Sequence, residues 1–215
     1  MKRITTTGMG LLVLLLGTPG SAWGQGTIRV TFDGFPERAP GSTTLFSFLS
    51  ESGVGVHSLG GNSTMRWSGD PLFPDNGSAY IQPRGSTDLF FSYGGSGWRF
   101  DAVSVDLALY SASSLDPVTI QFVASGYTRT IDIIATTEFT ITGAVDDQGR
   151  PLFQTFYFPP EFQGMYYLSV TPTAPLWSLD NLVISPIPEP SAWALLGCGA
   201  VLLVGHWLRR LRRRE

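Results

Sequence analysis

Between Gln25 and Ile187 the chain carries fifteen carboxylates, seven arginines and one histidine, His57. That inventory narrows the chemistry open to it. A histidine-activated nucleophile would have to use His57, and no Gly-x-Ser-x-Gly elbow accompanies it. Zinc is not expected, because the only cysteine, Cys198, and the second histidine, His206, both fall in a C-terminal apolar stretch. No phosphate-binding loop or dinucleotide fingerprint is present, and Gly94-Gly95-Ser96-Gly97 reads as a turn. Glycoside hydrolysis needs only two acids roughly 5–10 Å apart. Asp101 and Asp106 differ in parity, however, so on a regular strand they face opposite sides, and Asp146-Asp147-Gln148-Gly149 has the composition of a solvated turn. No pair is singled out. The expectation is a non-enzyme, with a polysaccharide-acting hydrolase or lyase using an unrecognised acid pair as the alternative.

Binding chemistry is better represented. Aromatic faces stack on the C–H faces of pyranoses while polar neighbours hold the hydroxyls. Trp67 and Tyr80 flank the longest loop region, with Arg66 beside them, and Trp98 and Trp177 stand at other element ends. These five are the candidate glycan-binding residues, and Trp67 is expected to be the most exposed because no strand alternation surrounds it. The competing reading is that such rings close the core. Asp33 ends the first strand and Asp180 lies in the last, so a sandwich that runs those strands together makes the two acids candidate calcium ligands. Seven arginines against fifteen acids leave this span at −8, against −3 for the whole chain. No basic stripe exists to displace phosphate counterions, so nucleic acid is not expected as a partner.

The elements that must position these residues are short, alternating and separated by turn clusters. Strands are expected at Thr27–Phe32, Thr43–Leu49, Val54–Leu59, Ala79–Gln82, Asp88–Tyr93, Trp98–Tyr110, Pro117–Ala124, Tyr127–Ile134, Glu138–Thr142, Leu152–Phe158, Met165–Thr171 and Leu176–Ile184. Gly60 to Gly77 reads as one long loop. With no helical period to cover a sheet, two sheets must cover each other. The expected fold is all-β, a two-sheet antiparallel β-sandwich of the jelly-roll kind over residues 25–184, without a disulfide.

Both ends read as targeting segments. Residues 1–24 have a signal peptide's parts: basic Lys2-Arg3, apolar Leu11 to Leu16, and small residues at Ser21-Ala22 before cleavage near Gly24. Signal peptidase and export across the inner membrane follow. At the other end, residues 185–191 contain Pro188-Glu189-Pro190, and residues 192–208 form an uncharged membrane-length stretch with Trp193 and Trp207 near its ends. Five arginines within 209–215 would stay on the cytoplasmic side. Cys198 reads as a small apolar residue of that helix, with lipidation or thiol chemistry as the alternative.

The succession of Pro-Glu-Pro, membrane-length helix and arginine cluster resembles the PEP-CTERM sorting signal. The resemblance implies recognition by an integral-membrane transpeptidase, an exosortase, followed by release to the cell surface or outside. A plain C-terminal anchor is the alternative. Phe100 to Ala108, Val118 to Phe122, Phe153 to Phe158 and Leu179-Asp180-Asn181-Leu182-Val183-Ile184 resemble the exported domains that precede such signals. Those are similar in turn to galactose-binding-like carbohydrate-binding modules. That second resemblance implies association with extracellular polysaccharide and strengthens the calcium reading. A purely structural surface protein is the remaining alternative.

Overall fold

Over most of the runs where apolar residues alternate with polar ones the chain is extended, and the apolar faces of two sheets are buried on each other. The computed structural model describes residues 26–33, 35, 39–59, 63–83, 88–172 and 177–187, with positions 199, 202, 203 and 206. The signal-peptide span 1–24, the Pro188-Glu189-Pro190 motif and the basic tail lie outside the described residues, as does all but those four positions of the apolar stretch. Among the described residues no helix is long and apolar enough to cross a membrane.

Thirteen strands are described: β1 (Ile28–Val30), β2 (Thr43–Phe46), β3 (Phe48–Glu51), β4 (Val54–Leu59), β5 (Ser63–Trp67), β6 (Ala79–Gln82), β7 (Asp88–Tyr93), β8 (Phe100–Leu109), β9 (Val118–Ser125), β10 (Ile133–Ile141), β11 (Gln154–Tyr157), β12 (Tyr167–Pro172) and β13 (Trp177–Pro186). The first sheet runs β11-β8-β13-β6-β5-β2, with β1 also on β13, and the second runs β10-β9-β12-β7-β4-β3. Every pairing is antiparallel. Met65, Ile81, Leu107, Trp177 and Leu179 of the first sheet share one core with Val56, Phe91, Phe122, Leu168 and Val170 of the second.

Three expectations about elements are corrected. The loop expected from Gly60 to Gly77 contains β5, whose Met65 and Trp67 enter the core on alternate residues. Thr43–Leu49 is two strands, because the chain passes from the first sheet to the second at Ser47. Tyr127–Ile134 is mostly turn: Gly126 N donates to Asp132 O, and the paired strand begins only at Ile133.

Two compensating bulges shape the centre of the first sheet. Between Asp180↔Asp106 and Val183↔Ser104, β13 carries an extra residue; between Val183↔Ser104 and Ile184↔Ala102, β8 does. Asn181 occupies the first bulge at φ +48°, a left-handed conformation that asparagine tolerates far better than β-branched residues. The second bulge reverses the parity of β8, so Phe100 and Val105 both face the core while Asp101 and Asp106 lie on the same side. Five residues of strand still separate those acids by ~16 Å, too far to flank one glycosidic bond.

Candidate functional site

The five aromatic and basic residues expected at a sugar site do not form one. Trp67, Arg66, Tyr80 and Trp177 are buried. Trp67 in particular, expected to be exposed, is a core residue, because β5 is a strand and its odd positions face inward. Arg66 and Tyr80 point the other way, but Phe73 lies against the first and Phe153 against the second. Arg66 Nε donates to Gln82 Oε1 at 2.8 Å, and its guanidinium lies 3.6 Å from the Phe73 ring centroid. Phe73 packs edge-on against Tyr110, and Tyr80 against Phe153. Burial pushes the Tyr80 phenol well above its ordinary pKa. Only Trp98 is substantially exposed, at 46%, and it leans on Tyr93 rather than on the other four.

Asp33 and Asp180 do come near one another, close enough for the Asp33 charge to act on the Asp180 carboxyl. What surrounds them is a set of donors. Asn76 Nδ2 and Ser78 Oγ meet Asp180 Oδ2, Asn181 N meets Oδ1 at 2.7 Å, and Ala79 N donates to Asp33 Oδ1. The Ser78 hydroxyl lies 2.6 Å from both Asp180 Oδ2 and Asn76 Oδ1 but has one proton. Ser78 Oγ donates to Asp180 Oδ2, while the Ser78 N–H donates to Asn76 Oδ1 at 3.2 Å. Burial pushes the Asp180 pKa up to about 7, against the lowering effect of those donors. The Asp180 carboxylate is not open to a cation as it stands, because Asn76 Nδ2 and Asn181 N donate to it and Asn76 would have to turn its amide. Among the described residues no group of three or more His, Cys, Asp or Glu comes together either.

The outer face of the second sheet holds a different cluster, which reading the sequence missed. Phe48, His57, Phe90 and Ser169 are direct cross-strand neighbours on β3, β4, β7 and β12. His57 stacks on Phe90 with centroids 4.2 Å apart and planes 1° from parallel, and Phe48 tilts against its other side at 4.7 Å. Tyr167 meets Phe90 edge-on at 6.1 Å, and the Arg129 guanidinium lies 4.5 Å from the same ring. Arg129 comes from the β9–β10 turn, which folds back over the sheet.

His57, Leu59, Phe90, Tyr127, Thr128, Arg129 and Tyr167 thereby line an open cleft of about 460 Å³. Phe48 remains 54% exposed at its margin and Tyr127 is 73% exposed. Partial burial, and then the Arg129 charge, lower the His57 pKa, so the imidazole is neutral at pH 7 and has one donor and one acceptor nitrogen. Among the described residues lining the cleft none is a carboxylate. The arrangement can hold a flat, hydroxylated molecule by ring contact and hydrogen bonds. A sequence signal for it does exist. Phe48-Leu49, Val56-His57, Phe90-Phe91 and Tyr167-Leu168 each place two large residues side by side in a strand, so one of each pair must face outward.

No protein-family model matches the chain, and no curated protein matches it. Among solved structures it is similar to a family 29 carbohydrate binding module, at 14% identity and a TM-score of 0.39, over 68% of this chain and 90% of that one. A family 29 carbohydrate binding module from Piromyces equi is similar at 9% identity and a TM-score of 0.38, over 70% and 93%. A DUF4465 family protein from Bacteroides caccae is similar at 10% identity and a TM-score of 0.42, over 74% and 98%. Likeness at that level carries no residue's role across.

Proposed function

We propose that the chain is a non-catalytic, exported jelly-roll protein that binds extracellular polysaccharide on the outer face of its second sheet. The aromatic cleft carries this reading. Phe48, Tyr127 and Tyr167 offer apolar contact to sugar C–H groups, while neutral His57, Thr128 and Arg129 offer hydrogen bonds to hydroxyls. Its described lining has no acid pair, which favours binding over hydrolysis. Export and sorting rest on the sequence: the signal peptide over 1–24, then Pro188-Glu189-Pro190, the apolar span 192–208 and the basic end, handled by an exosortase-like transpeptidase.

The test is affinity electrophoresis of the full chain in gels containing extracellular polysaccharides. Retardation that falls roughly ten-fold in Tyr127→Ala and Arg129→Ala, with Trp67→Ala excluded as a folding variant, supports the reading. Retardation unchanged in both variants, or absent with every polysaccharide, would sink it.

A further inference from the structure

The point where the described domain leaves for the apolar stretch has specific surroundings. Ile187 N donates to Arg99 O at 2.9 Å. Arg99 lies 5.4 Å from the centroid of the Tyr166 ring and donates to its hydroxyl at 3.3 Å, and Tyr166 packs edge-on against Tyr127 at 5.6 Å. Tyr127 opens the β9–β10 turn, whose Ile131 is 83% exposed, with Ile133 and Ile134 also exposed behind it. Trp98, next to Arg99, is half exposed at the same end. An acidic domain therefore gathers bare aromatic and aliphatic side chains around the exit of its own chain, among charges of both signs that include Arg99 and Asp101, the latter paired with Ser185.

From this juxtaposition of Ile187 with Trp98, Arg99, Tyr127 and Ile131, we infer that this end of the sandwich docks on the outer surface of the membrane that anchors the chain. The inference rests on the reading of residues 192–208 as a membrane span. Five steps of chain join Ile187 to Ala192 and reach at most ~18 Å even when fully extended. A ten-residue strand such as β8 is already ~33 Å long, so the tether brings this end, and not the opposite one, against the headgroups. Tryptophan and tyrosine favour that layer, isoleucine gains from entering its apolar side, and arginine is drawn to anionic lipid. Ile131, bare to water at 83% exposure, gains from an interfacial setting that water does not give it. The docked pose also leaves the aromatic cleft, shared through Tyr127 and Arg129, opening beside the membrane surface.

The experiment uses the full chain with Cys198→Ala, reconstituted in vesicles of phosphatidylethanolamine with a minority of phosphatidylglycerol. A fluorescent label is attached at Ile131→Cys or, at the opposite end, Leu72→Cys, and headgroup-spin-labelled lipid is the quencher. Docking predicts roughly three-fold stronger quenching at position 131 than at 72, and loss of that difference when Trp98→Ser and Tyr127→Ser are added. Equal quenching in protein that floats with the vesicles overturns docking and leaves the membrane span standing. Protein that fails to float overturns the span, and docking with it.

Discussion

At the scale of single residues, Asp180 is the group whose ionisation matters most to the fold. It is fully buried, and burial raises its pKa from 3.8 to about 7. Between those values the folded chain holds a proton that the unfolded chain releases. Asp180's contribution is therefore fully present below about pH 4 and is lost as pH rises through 7. The linked free energy is on the order of 4 kcal/mol. Urea unfolding of wild type and Asp180→Asn at pH 5 and pH 8 checks this. The wild type should lose stability relative to the variant on going to pH 8, and parallel behaviour would contradict it. In the sequence Asp180 reads as a last-strand acid and candidate calcium ligand, not as a buried one held by donors. Asn76 and Ser78 lie about a hundred residues away along the chain, and no local pattern announces such a contact.

Elements show where local reading works and where it fails. β7, β9, β12 and β13 lie close to where their alternation places them, because their inward positions are large and apolar. β5 escaped because Ser63, Thr64 and Arg66 dilute a pattern carried only by Met65 and Trp67, between glycine-rich flanks. The Asp180-Asn181 pair of the last strand marks the first bulge. Asn181 supplies the left-handed residue, and its Nδ2 donates to Asp106 Oδ2 at 2.9 Å. Asn181→Val should destabilise the domain by about 1–3 kcal/mol through backbone strain, with Asn181→Gly restoring most of the backbone part. Thermal unfolding of the two variants measures the difference, and equal melting temperatures would remove the strain argument.

At the scale of the whole molecule, the described residues cover part of one outer face and leave the aromatic side chains of the other accessible. The Ser68–Ser78 segment lies over the first sheet, anchored by Asn76 on Asp180 and by Asp75, whose Oδ2 is 2.6 Å from Arg150 NH1. The second sheet keeps its outer aromatics accessible in the cleft. The proposed processing at Pro188-Glu189-Pro190 belongs to this scale too. Glu189→Ala should block processing and retain the protein in the inner membrane while leaving its unfolding curve unchanged. Release equal to wild type, followed by fractionation and immunoblotting, would leave a plain anchor in place of the sorting signal.

The sequence by itself determined the all-β two-sheet class, because alternation without helical period leaves sheets nothing to pack on but each other. Its charge inventory likewise argued against nucleic acid, and its few histidines and cysteines against zinc. Tertiary structure alone decided which rings are available. Trp67, Tyr80 and Trp177 look like binding residues by type, but distant strands and loops bury them. Phe48, His57, Phe90 and Tyr167 look like ordinary strand residues, yet pairing between β3, β4, β7 and β12 aligns them into one face. Burial is a property of what arrives from elsewhere in the chain, and that is the part a local pattern does not contain.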